Sequence, residues 1–182
     1  MRKIVAGLFI SLDGVVEAPD KWHFPYLNEE LGQAVQSQMA QADAMLLGRK
    51  TYQEFAGFWP NQGRDVELAD FMNQTPKYVV SNTLTALDWQ NSTLISGNVK
   101  EALSALKEQP GKSLNITGSG TLVRSLLEDG LLDELHLFVH PIVVQKGKRL
   151  FEGQGETVPL KLADSKTFSN GVLYVTYTPA PA

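Results

Sequence analysis

Leu114-Asn115-Ile116-Thr117-Gly118-Ser119-Gly120-Thr121-Leu122 joins a short apolar run to a turn with two glycines and then to an amphipathic stretch that closes at Gly130. An apolar run this short, bounded by turn residues, reads as a buried strand. Ser119 is a favoured helix cap, so Gly120 to Asp129 reads as a helix. The glycines let a backbone come close to a bound group, and the helix start aims unsatisfied N–H groups at the same point. Thr117, Ser119 and Thr121 add hydroxyls. That combination suits an anion, a phosphate above all. The third glycine of the dinucleotide fingerprint is missing, so the turn taken alone also reads as an ordinary Ser-capped junction.

Strands and helices alternate outward from this turn. Towards the N-terminus, Lys3 to Leu12 reads as a buried strand and Asp13 to Leu27 as a long loop. Asn28 caps a helix that runs to about Ala42, with Glu29 and Glu30 in the turn where the helix dipole favours acids. Asp43 to Leu47 is a strand, Lys50 to Phe58 a short helix and Arg64 to Asn73 another. Lys77 to Val80 and Thr93 to Ser96 are strands, and Val99 to Lys107 is a helix stopped by Pro110-Gly111. Towards the C-terminus, Leu132 to Val139 is a strand. Leu160 to Phe168 and Val172 to Thr178 flank Ser169-Asn170-Gly171, a hairpin signal. The pattern predicts one α/β domain over residues 1–182. It has three layers, α/β/α, with a mostly parallel central sheet and an antiparallel C-terminal hairpin.

In such sheets ligands bind outside the carboxyl ends of the strands. Two more strand ends carry suggestive chemistry. Gly48-Arg49-Lys50-Thr51 puts two cations at the start of a helix, the unfavourable end of its dipole for positive charge, and a bound anion removes that conflict. Arg49 is a natural partner for a 2′-phosphate, which selects NADP over NAD; two solvated surface cations are the alternative. Ser81-Asn82-Thr83 follows a strand and suits either a ribose or phosphate contact or a plain turn.

Bulk composition narrows the function. The 182 residues are 43% hydrophobic and 20% charged, a globular balance, and the net charge of −4 leaves no basic surplus for a nucleic acid backbone. The absence of cysteine removes disulfides and thiolate chemistry, and it suits the reducing cytoplasm. No apolar run reaches the roughly 18 residues of a membrane span. Met1-Arg2-Lys3 before Ile4 to Leu12 has the outline of a short signal peptide, but Asp13-Gly14 ends the run without a small-x-small site, and a buried first strand is the better reading. His136 and His140 share a strand face about 13 Å apart, too far to chelate one metal. No metal or Ser-His-Asp pattern stands out.

The ordered set of segments resembles the dihydrofolate reductase-like superfamily, and more closely the stand-alone relatives of the riboflavin-pathway reductase domain. The matching segments are Ile10 to Gly14, Leu46 to Tyr52, Val79 to Asn82 and Thr117 to Leu122. The last match runs from Leu131 through Pro141-Ile142-Val143 to Gly147-Lys148-Arg149-Leu150-Phe151. The resemblance implies an NADPH cleft and a homodimer. It implies cofactor contacts at Gly48, Arg49 and Thr51, at Ser81 and Asn82, and at Gly118, Ser119, Gly120, Thr121 and Leu122. Asp13 matches the aspartate that closes the first strand beside nicotinamide and substrate. The riboflavin-pathway reductase typically carries a glutamate before its paired glycines, where Thr117 stands here.

In hydride transfer the cofactor carries the chemistry, and the protein supplies position, exclusion of water and a proton. Asp13 is the first candidate to orient substrate or relay a proton, against the alternative of an Asp-Gly turn. Glu30 is a second candidate, against a structural role in a first helical turn. Trp22, Phe24 and Tyr26 suit a wall over the substrate, because a loop this long is often functional. The expectation is an NADPH-dependent reductase of a small pterin-like or pyrimidine-like heterocycle. The alternative is a nucleotide-binding or regulatory protein that keeps the cleft without the chemistry.

Overall fold

Strand β1 (Ile4–Ser11) alternates two sets of side chains: Ile4, Ala6, Leu8 and Ile10 enter one core, and Phe9 packs into another on the opposite face. Such two-sided burial marks a central strand covered by helices on both faces. The computed structural model describes residues 1–66 and 68–181. After β1 come α1 (Glu29–Ala40), β2 (Ala42–Gly48), α2 (Arg49–Phe58), α3 (Ala69–Gln74), β3 (Lys77–Val80) and β4 (Ser92–Ile95). They are followed by α4 (Val99–Glu108), β5 (Ser113–Ile116), α5 (Gly120–Glu128), β6 (Glu134–His140), β7 (Leu160–Thr167) and β8 (Leu173–Pro179). The eight strands form one sheet in the order β4-β3-β2-β5-β1-β6-β8-β7. Every pairing from β4 to β6 is parallel, and β6-β8 and β8-β7 are antiparallel. The expected three-layer α/β fold with its terminal hairpin is therefore the observed one.

The two faces hold different cores. Ala44 and Leu46 of β2 join Leu103, Leu106, Val123 and Leu126 of α4 and α5. Met45 and Leu47 point the other way, to Tyr52 of α2 and Met72 of α3. Leu31 of α1 meets Phe138 of β6 and the hairpin residues Phe168 and Val172. Asn28 caps α1 by accepting from Leu31 N at 2.9 Å, as its side chain predicts.

The helix expected over Arg64 to Asn73 is shorter. Val66 N–H donates to Gly63 O and Ala69 N–H to Val66 O, both three-residue turn bonds, and the α-helix begins only at Ala69. Glu67, inside that expected range, lies outside the described residues. Among the described residues, no helix is long and apolar enough to cross a membrane.

Candidate functional site

In the sheet β2 lies between β3 and β5, and all three run parallel. Their carboxyl ends therefore bring Gly48, Ser81 and Thr117 to one edge. Between the turns after β2 and β5 lies a cavity of about 530 Å³, a size suited to a small-molecule ligand. Gly48 to Thr51 form one wall and Thr117 to Leu122 the facing wall. Val16 to Pro19, with Lys148 and Arg149, complete the rim.

The two turns interlock. Gly48 N–H donates to Gly118 O at 3.3 Å. A Cβ on Gly48 would lie 2.6 Å from Ser119 Oγ, and one on Gly118 would lie 2.6 Å from Thr51 Oγ1. The glycines expected to admit a ligand thus first admit each other's turn, and this brings two helix N-termini to one cavity. Ser119 Oγ accepts from Leu122 N–H at 3.2 Å and caps α5, as the cap reading of the turn expects. Gly48 caps α2 without a side chain. The first N–H groups of a helix have no partner within it, which leaves those of α2 available to a ligand.

Charge on the walls is lopsided. Five cations (Arg49, Lys50, Arg124, Lys148 and Arg149) face two carboxylates, Glu17 and Glu54, in a chain whose net charge is −4. Such local enrichment attracts anions whatever the overall charge. Arg49 makes no ion pair with any described residue. Arg124 is fixed by donating to the carbonyls of Arg149 (3.1 Å) and Leu150 (2.9 Å). Reading the sequence did not assign Arg124, Lys148 or Arg149 to the site. The segment Gly147 to Phe151 was visible as a motif, but only the fold brings it beside α5.

Other expected residues lie off the cavity. Ser81 Oγ accepts from the N–H groups of Thr83 and Leu84, both at 3.1 Å, and Asn82 Oδ1 accepts from Gly97 N–H at 2.9 Å. Ser81 thus holds its own turn and Asn82 ties it to the turn after β4, and it is Val80 that reaches the wall. Asp13 accepts from Ser11 Oγ (2.5 Å) and from the N–H groups of Val144 (3.1 Å) and Gln145 (2.8 Å), with the Arg149 guanidinium 3.7 Å away. The Ser11 hydroxyl, followed by these backbone donors, pulls its pKa down to about 2. Asp13 is an ionised brace for the loop after β6 and holds no proton to give near neutral pH. Glu30 accepts from both N–H and Oγ of Ser169, which ties α1 to the hairpin turn and lowers its pKa.

Trp22 and Tyr26 close over His140 instead of over the cavity. Both rings meet it edge to face, with centroids 5.2 and 5.5 Å away, and Trp22 Nε1–H donates to Glu17 O at 3.2 Å. His140 is fully buried, and its Nδ1 lies 2.7 Å from Phe138 O. The aromatic loop is therefore pinned to the ends of β1 and β6, while its residues 16–19 form the rim of the cavity. No group of three or more His, Cys, Asp or Glu suited to a metal exists among the described residues.

Comparison with known proteins agrees with this architecture. The chain is 31% identical to the uncharacterised protein YyaP of Bacillus subtilis over 190 aligned positions, covering 97% of this chain and 94% of the relative. A Shewanella sp. PV-4 protein, provisionally described as a riboflavin biosynthesis protein, superposes with a TM-score of 0.80 at 21% identity over the whole of both chains. Dihydrofolate reductase of Enterococcus faecalis, solved with NADP(H), gives 0.66 at 14% identity over 98% of this chain and 97% of that one. A family model described as the RibD C-terminal domain matches residues 2–174. On that match, which spans nearly the whole sequence, the chain belongs to the RibD C-terminal domain family.

Proposed function

We propose that the protein is an NADPH-dependent reductase of a small heterocycle, pterin-like or pyrimidine-like. Family membership supports an oxidoreductase of this general kind. The observation that carries the cofactor assignment is the cationic cavity where the N-termini of α2 and α5 meet. Its donor set fits the phosphates of a dinucleotide. The N–H groups at the start of α5, with the Thr117 and Thr121 hydroxyls, suit the pyrophosphate. The Arg49 guanidinium suits a 2′-phosphate. NADPH, when bound, supplies the hydride. The chain's own part is to hold and orient: Asp13 keeps the loop after β6 in place, Arg124 fixes Arg149 and Leu150, and residues 16–19 shield the rim.

A second reading, a nucleotide-binding or regulatory protein without turnover, is favoured by one observation. Among the described residues that line the cavity there is no histidine, and the Lys148 N–H, followed by Lys50, holds the Glu17 carboxyl below its usual range. A proton donor working near neutral pH needs the opposite shift.

Titration with NADPH, followed by nucleotide fluorescence, tests the cofactor assignment. Saturable binding is expected, and none at millimolar nucleotide overturns the reductase reading. Turnover on any member of a folate, pterin and pyrimidine panel then selects the reductase. NADPH binding with no oxidation across the panel selects the second reading.

A further inference from the structure

Glu17 is an oddity in a cavity built for anions. Its carboxylate spans the rim. Oε2 accepts from Lys148 N–H at 2.9 Å, and Oε1 lies 3.3 Å from Lys50 Nζ. Its seat is specific. Gly147 stands at φ +111°, and a Cβ there would lie 3.2 Å from Glu17 Oε2. A side chain at Gly147 would crowd the carboxylate and strain the backbone. The two cations that begin α2 are thereby made unequal. Lys50 already has a counter-ion, whereas Arg49 has none among the described residues.

We propose that Glu17 is a built-in occupant of the anion site, which a ligand phosphate displaces from Lys50, and that it sets how much negative charge the cavity accepts. The proposal rests on reading the cavity as an anion site, but not on the anion being NADPH. Displacement needs no unfolding of the loop. Val16 N–H donates to Lys148 O at 3.0 Å and Trp22 Nε1–H to Glu17 O at 3.2 Å, so the backbone on both sides of the carboxylate is held without it. The Glu17–Lys50 pair is solvent-exposed, with 57% of the Lys50 side chain accessible, and such pairs are weak. A charge-assisted hydrogen bond from lysine to phosphate is stronger, so the phosphate wins the exchange. The carboxylate nevertheless subtracts from the affinity of any ligand that uses Lys50. It subtracts more from a highly charged ligand than from a lightly charged one.

Glu17→Gln keeps the shape and the acceptor for Lys148 N–H and removes only the charge. Calorimetric titration of the wild type and this variant with inorganic pyrophosphate, at one low ionic strength, reads the effect. Binding about threefold to fivefold tighter in the variant is expected. In a Lys50→Gln background the same substitution should give a smaller gain, because only the direct repulsion between carboxylate and ligand is left to remove. Equal or weaker binding in Glu17→Gln overturns the proposal, as does an undiminished gain without Lys50 or no pyrophosphate binding to either protein. A parallel NADPH titration separates this inference from the proposed function. If pyrophosphate shows the gain and NADPH does not bind, the role of Glu17 stands and the cofactor assignment falls.

Discussion

Arg49 and Lys77 are two cations with opposite surroundings. Arg49 is exposed at the start of α2 with no acidic partner among the described residues, where a 2′-phosphate would complete it. Arg49→Ala should weaken NADPH about tenfold more than NADH in fluorescence titrations. Equal losses would remove the 2′-phosphate role. Lys77, by contrast, is fully buried. Its Nζ donates to Asn73 O (2.9 Å) and Gln90 O (3.1 Å) and lies 4.1 Å from the centre of the Trp89 ring. Burial pulls its pKa down from 10.5 to about 8. Between those values the unfolded chain holds a proton that the folded chain has released, so stability rises with pH across that window. Urea melts from about pH 8 to 10.5 should show this rise in the wild type and not in Lys77→Met. A matching slope in both proteins would assign the rise to other groups. Sequence reading placed Lys77 at a strand start and passed over it, because an isolated lysine in a sequence carries no sign of burial.

At the scale of elements, the loop between β1 and α1 faces two ways. Its first part forms the cavity rim, and its second part caps His140 with Trp22, His23 and Tyr26, backed by Phe9 of β1. His140 Nε2 and His23 Nδ1 are both buried without a hydrogen-bond partner among the described residues. Burial lowers the pKa of both imidazoles from 6.5, and on His23 the effect of nearby His140 adds to it against a small opposing pull from Asp20. As pH falls below 6.5 the unfolded chain takes up these protons before the folded chain does, so stability is lost on acidification. Denaturant midpoints of the wild type should therefore fall from pH 6.5 downward, and fall less steeply in His140→Phe, which keeps a ring in the cage. Parallel slopes would show that His140 plays no part. The expected substrate wall was legible as an aromatic cluster in a long loop. That it covers a histidine and not the cavity depends on β6 lying beside β1, a pairing across more than a hundred residues of sequence.

At the scale of the molecule, β7 is the outermost strand, and every residue from Lys161 to Thr167 is exposed. Leu162 and Leu173 on the hairpin are half exposed. An open edge of this kind is a pairing surface, and we propose that a second copy of the chain covers it. Small-angle scattering should return twice the chain mass, and Leu162→Lys should shift it towards one. A monomeric wild type would overturn the dimer.

The alternation of strands and helices, the hairpin, the Asn28 and Ser119 caps and the turns at Gly48 and Gly118 are all legible in the amino-acid order. These follow from periodicity, capping and turn chemistry, which act over a few residues and so are written locally. Which polar side chains face the cavity was settled by long-range packing. Ser81 turned to brace its own turn, Asn82 the turn after β4, Asp13 the loop after β6 and Glu30 the hairpin turn, because each side-chain oxygen met a backbone N–H left free by its own element. Lys148, Arg149 and Glu17 reached the cavity because residues 14–16 and 148–150 are joined by backbone hydrogen bonds. Those contacts link positions more than 130 residues apart, and no local pattern in the sequence records them.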